Sequence, residues 1–108
     1  MSQYFQFDLS DESLTLIRSP AAKFQLGEIM ATRAAMDAVP SDEILCALLR
    51  HQSGDWGEIP ERFRAANNQG IAESARLLSA YKTDSVPQFF VLTESDRSKT
   101  TVLLPDDF

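Results

Sequence analysis

Hydrophobic positions change their spacing along this chain, and the changes mark its elements. Between residues 41 and 52 apolar side chains recur at helical intervals. At 100° per residue Ile44, Ala47, Leu48 and His51 fall near the centre of one arc, with Leu45 and Leu49 on its flank and Glu43, Cys46 and Arg50 opposite. Ser41 reads as the N-cap, Asp42 and Glu43 complement the positive end of the helix dipole, and Gly54 offers a C-terminal stop. A second helix is predicted over 60–72, where Pro60 suits the first turn and Glu61, Arg62, Arg64, Ala65 and Ala66 have good propensity. Its Phe63, Ala66, Asn67 and Gly70 share a face. A shorter helical stretch, Arg33 to Val39, stops at Pro40.

Past residue 75 the pattern turns to strands. Gln88–Thr93 and Lys99–Leu104 are β-rich runs, separated by a turn at Ser95–Ser98 and ended by Pro105. The stretch 75–82 has helical composition, and a helix running on to Tyr81 is its rival reading. The Thr83–Pro87 turn that follows favours a strand. The unbroken apolar run Phe89-Phe90-Val91-Leu92 implies a strand covered on both faces. Upstream, residues 24–32 fit a strand in which Gly27 marks a bulge or a close approach. Tyr4, Phe5, Phe7 and Leu9 suggest a short edge strand, and Leu14, Leu16 and Ile17 another, with Ser19-Pro20 ending the segment. The sum is an α+β domain over 24–108, two main helices packed on an antiparallel sheet with a C-terminal three-stranded meander. Residues 1–23 form an amino-terminal arm against the body, with a weaker claim to order.

Four-residue loops in the meander would set Arg76 beside Thr93 and Thr93 beside Thr100. Leu78, Ala80, Phe89, Val91, Val102 and Leu104 then share the face of that polar row, where the helices are expected. Ser79, Tyr81, Gln88, Phe90, Leu92, Glu94, Thr101 and Leu103 take the other face.

At 108 residues the chain suits one domain with a single core. A net charge of −6 disfavours a broad phosphate-binding surface, so a protein partner is expected ahead of nucleic acid. No apolar run approaches the roughly 18 residues of a membrane span, and the amino terminus lacks a basic-then-apolar leader. The expectation is a cytoplasmic protein without membrane contact. A lone cysteine, Cys46, leaves no disulfide and no thiolate metal cluster.

Candidate chemistry concentrates in His51-Gln52-Ser53-Gly54-Asp55-Trp56-Gly57, which holds the only histidine and the only tryptophan. His51 has the intrinsic pKa of a general acid or base, and the carbonyl end of its helix favours the protonated form. Its plainer role is a histidine at the core edge. His51, Asp55 and Glu58 have helical metal-ligand spacing, but Gly54 and Gly57 break the helix, so neither metal nor cofactor is expected. Asp55 is read as capping the next helix and Trp56 as packing on the core. Arg76 or Arg97 with Thr93 and Thr100 suggests an anion site, although Glu94, Ser95, Asp96 and Arg97 also suit a solvated hairpin tip in which Asp96 pairs with Arg97. Ser79 and Tyr81 lie two residues apart on one strand, without a nucleophile elbow. The candidate catalytic set is thus His51, Tyr81 and Arg97. The candidate binding set is Asp55, Trp56, Asn67, Arg76, Ser79, Thr93, Glu94, Asp96 and Thr100.

Several blocks together carry a resemblance: Leu26–Thr32, the His-x-Ser-Gly-Asp-Trp-Gly motif at 51–57, Asn67, Leu77-Leu78-Ser79-Ala80-Tyr81, and Thr93–Pro105 with its Thr-Glu-x-Asp-Arg-Ser core. Over residues 24–108 the chain resembles a family of small uncharacterised proteins from bacterial plasmids and other mobile elements. Ser74 stands where those relatives usually have glycine, and Phe63 where they tend to be acidic. The resemblance implies association with mobile elements and supplies no activity. Two readings follow. One is a non-catalytic accessory protein that binds a macromolecular partner. The other is a metal-independent, ribonuclease-like phosphotransfer enzyme with His51 as base and Arg76 or Arg97 stabilising the pentavalent phosphate. An open cleft joining His51 to an arginine and a tyrosine would favour the enzyme, and a buried His51 the binding protein.

Overall fold

The computed structural model describes residues 4–17 and 22–107. In chain order these form β1 (Tyr4–Gln6), α1 (Asp11–Ile17), β2 (Glu28–Thr32), α2 (Arg33–Ala38), α3 (Ser41–Gln52), α4 (Glu61–Glu73), β3 (Leu77–Tyr81), β4 (Phe89–Thr93) and β5 (Lys99–Leu103), with a closing 3-10 turn at Pro105–Asp107. The five strands make one sheet in the order β1-β2-β5-β4-β3.

The α+β class and the C-terminal meander agree with the sequence reading, but the sheet is mixed rather than antiparallel. β2 runs parallel to β5 and the other three pairings are antiparallel. A parallel neighbour requires a crossover, and α2, α3, α4, β3 and β4 together supply it. Leu14, Leu16 and Ile17 belong to a helix rather than a strand. Ser10 caps it: its Oγ accepts from the Ser13 amide at 3.1 Å, and its carbonyl accepts from Leu14 at 2.9 Å. The Ser-Asp-Glu start outweighed the apolar triplet. The Ser19-Pro20 stop lies outside the described residues. β1 is an edge strand of the common sheet, hydrogen-bonded along β2.

Ser41 is the first residue of α3 and Pro40 its N-cap, with no side-chain cap. At the other end Gly54, at φ 86°, closes the helix as expected. Helices α1, α2 and α3 cover one face of the sheet. Ile17, Ala35, Ile44, Ala47 and Leu48 pack there on Ile29, Ala31, Phe89, Val91 and Val102. β4 alternates between buried and half-buried positions, so among the described residues it is covered on one face only, and the apolar run at 89–92 has a side that none of them covers.

The β4–β5 register is the expected one, with Thr93 beside Thr100. The β3–β4 register is shifted by one, since Leu77 and not Arg76 pairs with Thr93. The connection is seven residues, 82–88, closed by reciprocal Thr83–Val86 backbone bonds. The shift exchanges the faces of β3, placing Ser79 and Tyr81 under the helices and Arg76 and Leu78 on the open side.

α4 runs along the outer edge of β3. Asn67 there accepts from the Leu78 amide at 3.3 Å and donates to the Leu78 carbonyl at 2.7 Å. Trp56 and Glu58 bond the Ala80 amide and carbonyl at 3.1 and 2.7 Å. Edge groups that would recruit another strand are therefore occupied. α4 ends at Ser74 in the left-handed conformation, φ 55°, where the Ala75 amide bonds the Gly70 carbonyl. A glycine relieves the Cβ strain of that conformation. Ser74→Gly is expected to raise stability by about 1 kcal/mol, read as a higher urea midpoint with an unchanged m-value.

Candidate functional site

His51 lies on the buried side of α3, under β3 and β4, and its side chain is 0% exposed. The one-residue shift of β3 delivers Ser79 to one ring nitrogen. Nδ1 is 2.5 Å from Ser79 Oγ, and Nε2 is 2.9 Å from Thr93 Oγ1. The chain continues from Thr93 to Thr100 at 2.7 Å, and from the Thr100 hydroxyl to the Leu26 carbonyl at 2.7 Å. All four polar side chains in this relay are buried, and each has a partner.

Donor accounting fixes the proton positions. A carbonyl only accepts, so Thr100 donates to Leu26. Thr93 then donates to Thr100, and the ring Nε2–H donates to Thr93. Nδ1 is left to accept from Ser79. The neutral Nε2–H tautomer satisfies every group. Burial, with a lesser contribution from the Arg97 charge, pushes the imidazole pKa down to about 3. The helix end was expected to favour the protonated form. Desolvation outweighs that dipole, which is worth at most about 2 kcal/mol.

Aromatic rings close the remaining sides. Phe24 meets His51 edge-on at 5.2 Å, Trp56 meets it at 5.4 Å, and Phe24 stacks on Trp56 at 6.0 Å. Trp56 is buried as expected, with its Nε1–H donating to Asn68 at 2.9 Å. Asp55 does not cap α4. Its carboxylate accepts from the Gly57 amide at 3.2 Å and pairs with Arg50 at 2.7 Å. That pairing holds the Asp55 pKa below the usual carboxylate range and raises that of Arg50. Tyr81 donates to the Asp55 carbonyl at 2.6 Å beneath the Arg50 guanidinium, and burial raises its pKa.

Neither of the two arginines considered for anion binding bonds the threonines. Arg97 does not pair with Asp96. It donates to the carbonyls of Gly70 at 3.0 Å and Ala75 at 2.6 Å, tying the β4–β5 turn to the end of α4. Asp96 accepts from the Ser98 amide at 3.0 Å within the turn. Arg76 is on the opposite face of the sheet from Thr93 and Thr100, 3.4 Å from Glu94. His51, Ser79, Thr93 and Thr100 are thus brought together, with Trp56 beside them. Tyr81, Asp55 and Asn67 serve neighbouring contacts, and Arg76 and Glu94 belong elsewhere. Phe24, Arg50 and Asn68 were not singled out from the sequence. Nothing in their local pattern marks them, because the partners of Phe24 and Asn68 come from other elements.

A different concavity lies on the uncovered face of the sheet. Met30, Leu92, Thr101 and Leu103 line it, with Tyr4 and Asp107 on one rim and Arg76, Glu94 and Lys99 on the other, around a cavity of about 370 Å³. Asp107 is fixed by bonds from the Thr32 hydroxyl and the Leu104 amide at 2.6 and 2.8 Å. Tyr4 is 51% exposed. An antiparallel sheet face left to solvent ordinarily alternates to polar residues. Here Met30, Leu78, Phe90 and Leu92 are half-buried apolar side chains on that side.

Among the described residues no three His, Cys, Asp or Glu side chains are grouped as a metal site, and no helix is long and apolar enough to cross a membrane. Comparison with protein-family models, with curated proteins and with solved structures found no match to the chain.

Proposed function

We propose that this is a non-catalytic interaction protein of a mobile element, acting in the cytoplasm, and that it binds a protein partner through the uncovered face of its sheet. The observation that carries the reading is the cavity over Tyr4, Met30, Leu92, Thr101 and Leu103, walled by charges of both signs. A concave apolar floor with a polar rim is the usual make-up of a recognition surface. The acidic balance of the chain, −6 overall, favours a protein over a nucleic acid as that partner. The association with a mobile element rests on the sequence blocks at 51–57 and 93–105.

The phosphotransfer alternative draws no support from the arrangement around His51. A general base must reach its substrate within about 3 Å or through one water. This imidazole is shut away behind Phe24 and Trp56, and both its nitrogens are engaged by hydroxyls.

The test is site-directed. A photo-crosslinking residue at position 92 should capture a defined protein in the native host, whereas one at position 62, on exposed α4, should not. The captured protein, purified and titrated, should bind Leu92→Glu at least about tenfold more weakly than wild type. Equal binding to both would remove the open face as the recognition surface.

A further inference from the structure

Adjacent positions on the open face form rows across the strands. The row at one end reads Glu28 on β2, Lys99 on β5, Glu94 just after β4 and Arg76 just before β3. Glu28 pairs with Lys99 in the parallel register, the Glu94 amide bonds the Lys99 carbonyl at 3.0 Å, and Arg76 sits 3.4 Å from Glu94. The signs alternate, negative, positive, negative, positive. The next row reads Met30, Thr101, Leu92 and Leu78.

An alternating row of even number is also complementary to its own reverse. Four alternating charges reverse sign when read backwards. Two copies laid face to face about a twofold axis parallel to the strands, passing between β5 and β4, present one row to the reverse of the other. Glu28 then faces Arg76 of the second copy and Lys99 faces its Glu94, and symmetry repeats both contacts. Every facing pair is opposite in sign. In the neighbouring row Met30 meets Leu78 and Thr101 meets Leu92, which gives an apolar centre beside a charged border. β1 overhangs this overlap, so Tyr4 lies at its margin. A self-complementary patch of this kind is what an isologous interface demands.

We infer that the occupant of the open face is a second copy of this chain, packed sheet on sheet about that axis. The inference rests on the reading of this face as the recognition surface. The four overlapping strands, of five residues each, offer a face of roughly 17 by 20 Å, short of the ~800 Å² per partner of standard interfaces, so the dimer is a reversible one with a Kd on the order of tens of micromolar. The net charge of −6 on each chain opposes association at low ionic strength, so the measurement belongs at about 150 mM salt.

The experiment is sedimentation equilibrium of the full chain from about 5 to 500 µM, a range that brackets such a Kd. Wild type should move from monomer to dimer. Lys99→Glu sets like charges at two facing pairs, Glu94→Lys does the same with the opposite sign, and each should weaken self-association at least about tenfold. Mixed in equal amounts, the two variants oppose unlike charges at every position again, and the mixture should dimerise within about threefold of the wild-type Kd. Lys23→Glu, on the helix side near Gly54, changes the net charge equally and should leave dimerisation intact. Circular dichroism verifies that each variant is folded, and the mixing step needs no doubly substituted chain.

A monomeric wild type over the whole range overturns the inference. So does a dimer indifferent to Lys99→Glu, or a mixture of the two variants that stays monomeric. The reading of the open face as a surface for some other protein is separable. A monomer that still loses its crosslinked partner on Leu92→Glu retains that reading without the second copy, and a partner that binds Leu92→Glu normally removes it.

Discussion

Between pH 6.5 and pH 4 the unfolding free energy is expected to fall by about 3 kcal/mol, and replacing His51 should abolish most of that slope. The sign follows from proton counts. The imidazole is held down to about 3 in the folded protein, against a model value of 6.5. Within that window the unfolded chain binds a proton that the native state refuses, so stability rises with pH. The contribution is complete above pH 6.5 and is lost as pH falls towards 3, with a limiting slope of about 1.4 kcal/mol per unit. Asp55 changes stability in the same direction, but its pKa lies below the model value of 3.8, so its loss falls at lower pH. Urea denaturation from pH 4 to 8 separates the two. His51→Gln keeps an amide donor and acceptor towards Thr93 and Ser79 and should give a nearly flat profile over this range. If its slope matches wild type, carboxylates and not the imidazole govern the acid limb. At pH 7 His51→Ala, which strands the Ser79 hydroxyl, removes the donor to Thr93 and leaves a void, is expected to cost about 3–5 kcal/mol.

That dependence was not legible in the sequence, although the residue was. The arc formed by Ile44, Ala47, Leu48 and His51 placed the imidazole on the buried side of α3, and its burial follows from that periodicity. Its partners depended on long-range register. Assuming a four-residue loop after Lys82 put Arg76 near Thr93 and turned Ser79 away. A seven-residue loop moves every β3 side chain to the opposite face and replaces a proposed anion site with a sealed hydroxyl relay. Thr93 and Thr100 were correctly set side by side because the Ser95–Ser98 turn is short and its residues specify it.

The mixed sheet was hidden for a similar reason. Nothing local to Glu28–Thr32 says that its neighbour lies some seventy residues away in β5. The run Phe89–Leu92 pointed to cover on both faces. Its physical content was sound, since both sides of β4 are apolar, but only one is covered by helices. Leu92 and Phe90 on the other side give the open face its character. Asp96 and Arg97 are adjacent in sequence and make divergent contacts, because Arg97, at φ 61°, reaches the carbonyls at the end of α4.

Gly57→Ala is expected to be among the most damaging single substitutions in the chain, destabilising it by roughly 3–5 kcal/mol. Two effects are involved, and a second glycine separates them. Gly57 has φ 73° and Gly54 φ 86°, so alanine at either meets the left-handed penalty of about 1–2 kcal/mol. Their surroundings differ. The nearest atoms to a Cβ on Gly54 are the flexible end of Lys23, at 3.3 Å, whereas one on Gly57 would overlap the Ala80 carbonyl oxygen and lie 2.7 Å from the Tyr81 ring. Relief of the second contact means moving residues 56–58 away from β3. The Trp56–Ala80 and Glu58–Ala80 backbone bonds would then be lost, and Trp56 would be drawn from its place against His51. Gly54→Ala should therefore lower stability by about 1 kcal/mol with the indole still buried. Gly57→Ala should shift the tryptophan fluorescence to longer wavelength in whatever fraction remains folded, besides lowering the melting temperature. Equal losses at the two glycines would mean that backbone conformation alone sets the cost. The close packing of residues 56–58 against Ala80 would then contribute little to holding the relay shut.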